Sequence, residues 1–555
     1  MGREPRAHPR GHEVRAGARR EGRARRDRRD PHAGLLALLV PRHLRAGARA
    51  GPRPPGAGQG VRAPLARRAR LPRRGRAPAA ARRRPLRGVT ALHRGVRAHH
   101  RERLRARPAP ADGADPRQPR PLAVAAPAPS SLPAAAVSRA EARWVLGLLV
   151  VVYVFNFVDR QILSILVEPI RQDLGVSDTA MGFLTGGAFA VFYTFAGIPI
   201  ARFADRSVRR TVIAVGCALW SAMTAASGLA RGFADLALAR IGVGVGEAAC
   251  SPPAHSLLSD YFPPERRATA LAVYASGIHF GTAFGYLAGG WLNEAFDWRT
   301  AFLAVGLPGL ALALLVRLTV REPARGLSEG GVAGEAPPAT SEVFRFLWDL
   351  RSFRHLSFAS ALTAFAGYGV AIWTPAFLVR VHGMGTAEIG TWLGLIAGLG
   401  GASGAWLGGV AADRLGARDP RWAVRVPAAA ALAGLPFTAL LLFWPSPRTA
   451  LLLGIPGTVL GAMWLGPVFA LTQTLVRIRM RAVASAILLF IVNLIGLGLG
   501  PQVVGALNDL LRPTFGGASV RWSLAAVVLV SSVWAAVHFA LAGRTLAGDL
   551  RAKAR

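Results

Sequence analysis

The sequence predicts an all-α integral membrane protein whose twelve transmembrane helices form two six-helix repeats. Three observations carry that reading. Apolar runs of about 20 residues recur from Trp144 onward, the length that crosses a roughly 30 Å hydrocarbon core. Basic residues crowd every second connection between those runs. A pattern in the first half returns in the second at a fixed offset of 208 residues.

The bulk numbers need splitting before they mean anything. The chain has 555 residues, is 52% hydrophobic and carries a formal charge of +38. Residues 1–140 hold 35 Arg, no Lys and 8 acids, a net of +27, which leaves +11 for residues 141–555. A single soluble globular domain is therefore excluded. Residues 1–140 show no helical or strand periodicity, and their longest apolar run, Gly34 to Val40, is too short to span a bilayer. A disordered Arg/Pro/Ala-rich extension is expected there. It reads as a basic binding tail, a solvated tail, or high-GC sequence upstream of the true start; a mis-called start is the preferred reading. No aromatic precedes Trp144, so base stacking has no platform and no nucleic-acid partner is expected. The next Met after Met1 is Met181, inside an apolar run, so a later start would use a non-Met codon, for example at Val137 or Leu132.

The expected spans follow in order. Span 1 (144–168) carries Asp159 and Arg160 in an apolar run, and span 2 (179–201) stops at Arg202 and Arg206. Span 3 (211–230) lies between Arg210 and Arg231, and span 4 (233–257) contains Arg240 and Glu247. Span 5 (268–291) follows Arg266-Arg267 and has Gly277, Gly281, Gly285 and Gly289, one every four residues. Such a stripe gives a helix a flat face for close packing. Span 6 (300–320) runs from Arg299 to Arg321. A long connection with Gly330-Gly331 and Pro337-Pro338 then divides the spans six and six. Spans 7 (355–379) and 8 (387–411) open the second half, and span 8 copies span 2. Spans 9 (424–444), 10 (449–473), 11 (482–507, with Gly496, Gly498 and Gly500) and 12 (521–543) complete it. The expected organisation is an extension at 1–140, an N-terminal bundle at 141–321 and a cytoplasmic linker at 322–353. A C-terminal bundle at 354–545 and a tail at 546–555 follow. Arg-rich connections after even-numbered spans put both termini in the cytoplasm, in a bacterial inner membrane.

The repeat is explicit. Met181-Gly182-x-x-x-Gly186 is echoed by Ile389-Gly390-x-x-x-Gly394, and Ala204-Asp205-Arg206 with Arg210 by Ala412-Asp413-Arg414 with Arg418. A two-fold six-span repeat is a secondary-transporter architecture, with its site between the halves near the midplane. The loop Ala201-x-x-Ala-Asp205-Arg206-x-x-Arg209-Arg210 and its copy resemble the signature loop of the major facilitator superfamily. Three stretches resemble, more narrowly, the spinster branch of lysophospholipid and sphingosine-phosphate transporter relatives. They are Asn156-Phe157-Val158-Asp159-Arg160-Gln161, Arg240 through Glu247-Ala248, and Ser259-Asp260-Tyr261-Phe262-Pro263-Pro264-Glu265-Arg266-Arg267. The resemblance spans roughly residues 145–545. It departs at Ala201, where the family's loop starts with Gly.

An ionised side chain at the bilayer centre costs roughly 2.5–3.5 kcal/mol, which makes Asp159, Arg160, Arg240 and Glu247 functional candidates. Asp159 lies about 22 Å along span 1, at a depth similar to Arg240 on the oppositely directed span 4, so these two are expected to pair. Glu247 lies two turns below Arg240 on nearly the same face. The resemblance implies that the four residues carry proton coupling; a fixed ion pair joining spans 1 and 4 is the alternative. It also implies a gate in the loop residues Asp205, Arg206, Arg209, Arg210, Asp413 and Arg414; a solvated, topology-setting loop is the alternative, and the preferred reading at Asp413. In the gate, Asp205 meets a helix N-terminus of the other half in the outward-open state. Tyr153, Asn156, Tyr193, His279, Tyr286, Trp373 and Asn493 are candidates to line a cavity.

Cys217 and Cys250 lie in apolar runs and suggest neither a disulfide framework nor a metal site. No nucleophile triad, phosphate loop or metal-ligand spacing occurs, so neither an enzyme nor a cofactor is expected. The expected function is a monomeric, proton-coupled, alternating-access carrier of an amphipathic organic anion such as a lysophospholipid. Carriage of small soluble carboxylates or sugar acids is the alternative, and a non-transporting membrane receptor a remote one.

Overall fold

In a computed structural model, residues 137–325 and 339–554 are described. The expected extension lies almost wholly outside these residues, as does the middle of the linker. Among the described residues the chain is helical and contains no strand.

Local chemistry sets the helix ends. Span 1 runs Arg139–Ile165, and its N-cap Ser138 accepts from the Glu141 amide at 3.1 Å, a Ser-x-x-Glu start. A short helix, Val167–Leu174, follows and ends at Gly175, whose φ of 62° only glycine adopts without strain. Span 2 covers Asp178–Ala204 with a π-helical turn at Phe183–Gly187. Span 3 is Arg209–Ser227, span 5 Pro264–Ala295, and span 6 Trp298–Thr319, capped by Asp297 on the Thr300 amide.

Span 4 is broken. Phe233–Glu247 ends in a turn, and the chain resumes as Ser251–Tyr261. Pro252 and Pro253 offer no amide to carry the ladder onward, so the first helix stops at Glu247. Span 10 repeats the break: Pro447–Ala462, then Leu465–Leu475 beginning next to Pro467. Inside the expected linker lies an amphipathic helix, Thr340–Asp349, with Val343 and Leu347 buried and Phe344 and Trp348 exposed. Spans 7 (Arg351–His382), 8 (Thr386–Gly416) and 9 (Trp422–Phe443) follow. Span 11 comprises Arg481–Val492, a π turn at Asn493–Leu497, and Gly498–Phe515; span 12 is Ser519–Ala554.

Eight helical stretches among the described residues are long and apolar enough to cross a membrane, and the last, Arg481–Arg551, contains spans 11 and 12. Spans 3, 4 and 5 are absent from those eight. Span 4 is interrupted at its prolines, and span 5 carries glycines and an acidic and basic first turn. Phe195, Leu238, Trp406, Val530 and other large apolar side chains face outward, as a lipid solvent allows.

Glycine governs the closest packing. A Cβ at Gly281 would lie 2.5 Å from Phe157 and Val154, and one at Gly285 2.7 Å from Gln161, so the span 5 stripe packs on span 1. The two halves meet along two seams, span 2 against span 11 and span 5 against span 8. A Cβ at Gly186 would stand 2.8 Å from the Leu497 carbonyl, and one at Gly390 2.3 Å from the Tyr286 carbonyl. Polar contacts between the halves cluster at the end opposite the Asp205–Arg210 loop. Arg380 bonds Glu168 and Asp178, and Asp509 accepts from the amides of Asp178 and Thr179. Glu294 accepts from the Ala387 amide at 2.7 Å, and Thr386 donates to the Gly290 carbonyl at 3.0 Å.

Candidate functional site

The break in span 4 leaves Glu247 as the last residue of a helix inside the N-terminal bundle. Its side chain is fully buried and faces span 1. There Arg160 donates Nε to Glu247 Oε2 at 2.6 Å. The Arg160 guanidinium lies over the rings of Phe157, Phe189 and Tyr193, 4.7–4.9 Å from their centroids, and keeps 17% of its side chain exposed. A cation held by three ring faces and one carboxylate is fixed in orientation while one edge stays open.

This corrects the expected pairing. Asp159 and Arg240 are at similar depth but do not join carboxylate to guanidinium. Arg240 Nη1 instead reaches the Asp159 backbone carbonyl at 3.5 Å and lies over Phe189. The physical reason is rotation about the helix axis: Asp159 and Arg160 are neighbours on a 3.6-residue helix and point about 100° apart. Only Arg160 points at Glu247. Asp159 Oδ1, Glu247 Oε1, Arg240 Nε and Asn156 Nδ2 are all buried without a hydrogen-bond partner. Four unsatisfied polar atoms in one buried patch are unusual and mark a place of strain or function.

The structure does not bring the expected loop residues together. Arg209 is buried, pairing with Glu322 at 2.7 Å and with Asp260, and donating to the Pro323 carbonyl. Arg210 donates its amide to Glu322 and its side chain to the Val320 carbonyl. These bonds stay within the N-terminal half and tie the ends of spans 3, 4 and 6 together. Asp205, Arg206, Asp413 and Arg414 are exposed and form no ion pair among the described residues.

Of the expected cavity residues, Tyr153 stacks on Tyr274 at 4.4 Å, Tyr193 stacks on Phe189, and Asn156 is buried beside the charged group. His279 and Asn493 are half-buried. Tyr286 and Trp373 are buried and donate to backbone carbonyls, Ala371 at 2.6 Å and Pro501 at 2.9 Å. They are packing residues of the closed end and line no open surface in this state. Cys217 and Cys250 are free, buried thiols.

Sequence reasoning missed the cluster of Glu168, Asp178, Arg380 and Asp509, which joins the halves. Each sits at a span end, where a charge reads as solvated. The available signal was that the basic residue of one half and the acids of the other recur at the sparsely basic end.

Two pseudo-equivalent six-helix bundles, closed on each other at one end and with a buried charged patch inside the first, define a membrane carrier. The chain belongs to the Major Facilitator Superfamily, whose profile matches residues 149–501. It is a spinster-like member. A solved bacterial homologue of the human lysosomal transporter Spinster, inward-facing and unoccupied, superposes with a TM-score of 0.69 at 32% identity. That match covers 74% of this chain and 99% of that one. An MFS-type efflux pump of Mycolicibacterium smegmatis is 35% identical over 415 residues, 74% of this chain and 94% of its own length. A protein of Bacillus subtilis named as a probable galactarate/D-glucarate transporter, 28% identical, is matched over 49% of this chain and 65% of its own length. The protein is thus a multi-pass transporter of small molecules set in a lipid bilayer, and not an enzyme.

Proposed function

We propose that the protein is a proton-coupled secondary carrier of an amphipathic organic anion, such as a lysophospholipid, working by alternating access in a bacterial inner membrane. The observation that carries this is the Arg160–Glu247 pair with one edge of Arg160 open inside a collar of aromatic rings. A guanidinium binds a phosphate or carboxylate bidentately, and the rings accept the apolar part of the same molecule. An anion arriving at Arg160 competes with Glu247. Protonating Glu247 frees the guanidinium for substrate, and losing the proton restores the pair, so one residue links the two ligands. Asp159, buried beside the pair with an unpartnered oxygen, is the second proton-carrying group.

Both termini lie in the cytoplasm on this reading, the Asp205–Arg210 end faces inward, and the state described is inward-facing. Asp205 engages the other half only when that end closes.

The test is uptake into proteoliposomes across an imposed pH gradient, with lysophospholipids and sugar acids as parallel substrates. Wild type should accumulate lysolipid in proportion to the gradient. The Glu247→Gln variant should bind substrate but accumulate none. Gradient-driven accumulation by Glu247→Gln equal to wild type would refute the coupling role. The second reading, a sugar-acid carrier, draws on the Bacillus subtilis relative and predicts accumulation of the sugar acid alone.

A further inference from the structure

Far from the charged patch, spans 9 and 12 leave a cleft of about 420 Å³ at their Arg-rich ends. Val424, Phe539 and Gly543 form its apolar floor, and Arg421, Arg425 and Arg544 stand at its mouth. Val424 and Phe539 are buried, whereas the three arginines are exposed. Glycine at 543 keeps the floor open, since a Cβ there would already touch Val424 at 3.1 Å.

The direction in which the cleft opens follows from helical spacing. On span 12, Val530, Val533, Val537, Ala540 and Arg544 recur every three or four residues and are all exposed. On span 9, Arg425, Ala429 and Leu432 form a matching exposed row. An apolar stripe that runs from the cleft along both helices faces lipid, and the arginines sit where that stripe ends.

Charge decides the occupant. Arg425 pairs with Asp419 at 3.1 Å and lies over the Trp422 ring at 5.6 Å, which orients it. Arg421 and Arg544 have no ion pair among the described residues. Two uncompensated guanidinium groups therefore flank an apolar groove at the membrane surface. A ligand that satisfies both features has an anionic head and a hydrocarbon tail.

We propose that this cleft binds an anionic phospholipid of the adjoining leaflet. Arg421, Arg425 and Arg544 hold its phosphodiester, and one acyl chain packs on Ala540 and along the exposed stripe of span 12. The lipid is a resident of the carrier's flank and not its transported substrate. The site rests on the transport reading for one point alone, that its leaflet is the cytoplasmic one.

The test uses the full chain in nanodiscs of phosphatidylglycerol and phosphatidylcholine in equal parts, with retained lipid counted by native mass spectrometry. Wild type should retain phosphatidylglycerol preferentially. Arg421→Gln/Arg425→Gln/Arg544→Gln should reduce that retention by about tenfold or more, each arginine contributing up to about fivefold. A charge-matched control with Gln at Arg345, Arg477 and Arg481 should retain it. Ala540→Trp fills the exposed side of the groove, leaves every charge in place, and should show the same loss. Equal loss in the control would mean general surface attraction, and undiminished retention in the triple variant would mean binding elsewhere. Displacement by millimolar inorganic phosphate would mean a bare anion site. Each of these three results overturns the proposal.

Discussion

At the scale of single residues, the Arg160–Glu247 contact is a buried pair, and the proposed coupling requires that it break. Removing one partner of such a pair leaves a charge without water or counter-ion, a loss of about 3–5 kcal/mol. Removing both need not. Arg160→Gln and Glu247→Gln should each lower the thermal midpoint in detergent. The double variant should be more stable than the sum of the two losses predicts, by about 1–3 kcal/mol. Strict additivity would show that the 2.6 Å contact contributes nothing. Arg160→Lys is a sharper probe of geometry. Lysine keeps the charge but has no flat face for Phe157, Phe189 and Tyr193 and no Nε fork for Glu247. Substrate affinity should fall at least tenfold, read by binding titration, while the protein remains folded. The four charged residues were legible in the sequence because apolar spans make any charge conspicuous. Which of them pair was not, because depth along a helix is read from residue counts whereas the pairing depends on rotation. A one-residue step between Asp159 and Arg160 turns the side chain by about 100° and changes the partner.

At the scale of elements, the seams between halves are built from backbone meeting backbone. Gly290 and Gly390 cross so closely that an added Cβ would stand 2.3 Å from the Thr386 or the Tyr286 carbonyl oxygen. No backbone atom can yield as a flexible side chain would. Gly390→Ala should therefore disfavour the state closed at this seam, without harming packing inside either bundle. Labelling of a cysteine introduced at Thr391 should rise at least severalfold in the alanine variant, and unchanged labelling would remove this seam from the closing motion. The sequence made the twelve spans and their repeat plain, since a hydrocarbon core demands runs of one length. It also displayed the glycine stripe on span 5, but not what the stripe faces. Gly277 to Gly289 pack on span 1 within one bundle, whereas Gly290, one residue further on, meets the other bundle. The breaks in spans 4 and 10 were hidden for a similar reason. Their hydropathy continues across the turn, and only Pro252, Pro253 and Pro467 mark where the ladder stops.

At the scale of the whole molecule, the closed end is held by a clamp that alternating access, as proposed, has to release. Arg380 of the C-terminal half is bonded to Glu168 and Asp178 of the N-terminal half, and all three are nearly buried. Asp509 reinforces them from span 11 through the Asp178 and Thr179 amides. Because these bonds join the halves, they stabilise one arrangement of the bundles and not the fold of either. Burial alone would raise the pKa of Glu168, which lies beyond the end of span 1. The hydrogen bonds from Arg171 and Gln172 and the charge of Arg380 outweigh it and hold the carboxyl down at about 2, from an ordinary 4.5. A depressed carboxylate stabilises above its unfolded value and loses that contribution as pH falls through the folded one. The Glu168 contribution is therefore complete above about pH 5 and fades only toward pH 2, so between pH 5 and 8 it is constant. Asp178→Asn should accordingly shift the two bundles toward opening at this end by the same amount at pH 6 and pH 8. Arg380 keeps Glu168 in this variant, so the loss stays below the 3–5 kcal/mol of a fully unpaired buried charge, and about 2.7 kcal/mol is enough to bring a 99:1 preference to balance. Distances between spin labels at the tips of spans 1 and 7 should lengthen in the variant at both pH values. A shift confined to pH 6 would instead place the proton-sensitive element in the clamp itself, and would move the search for coupling away from Glu247.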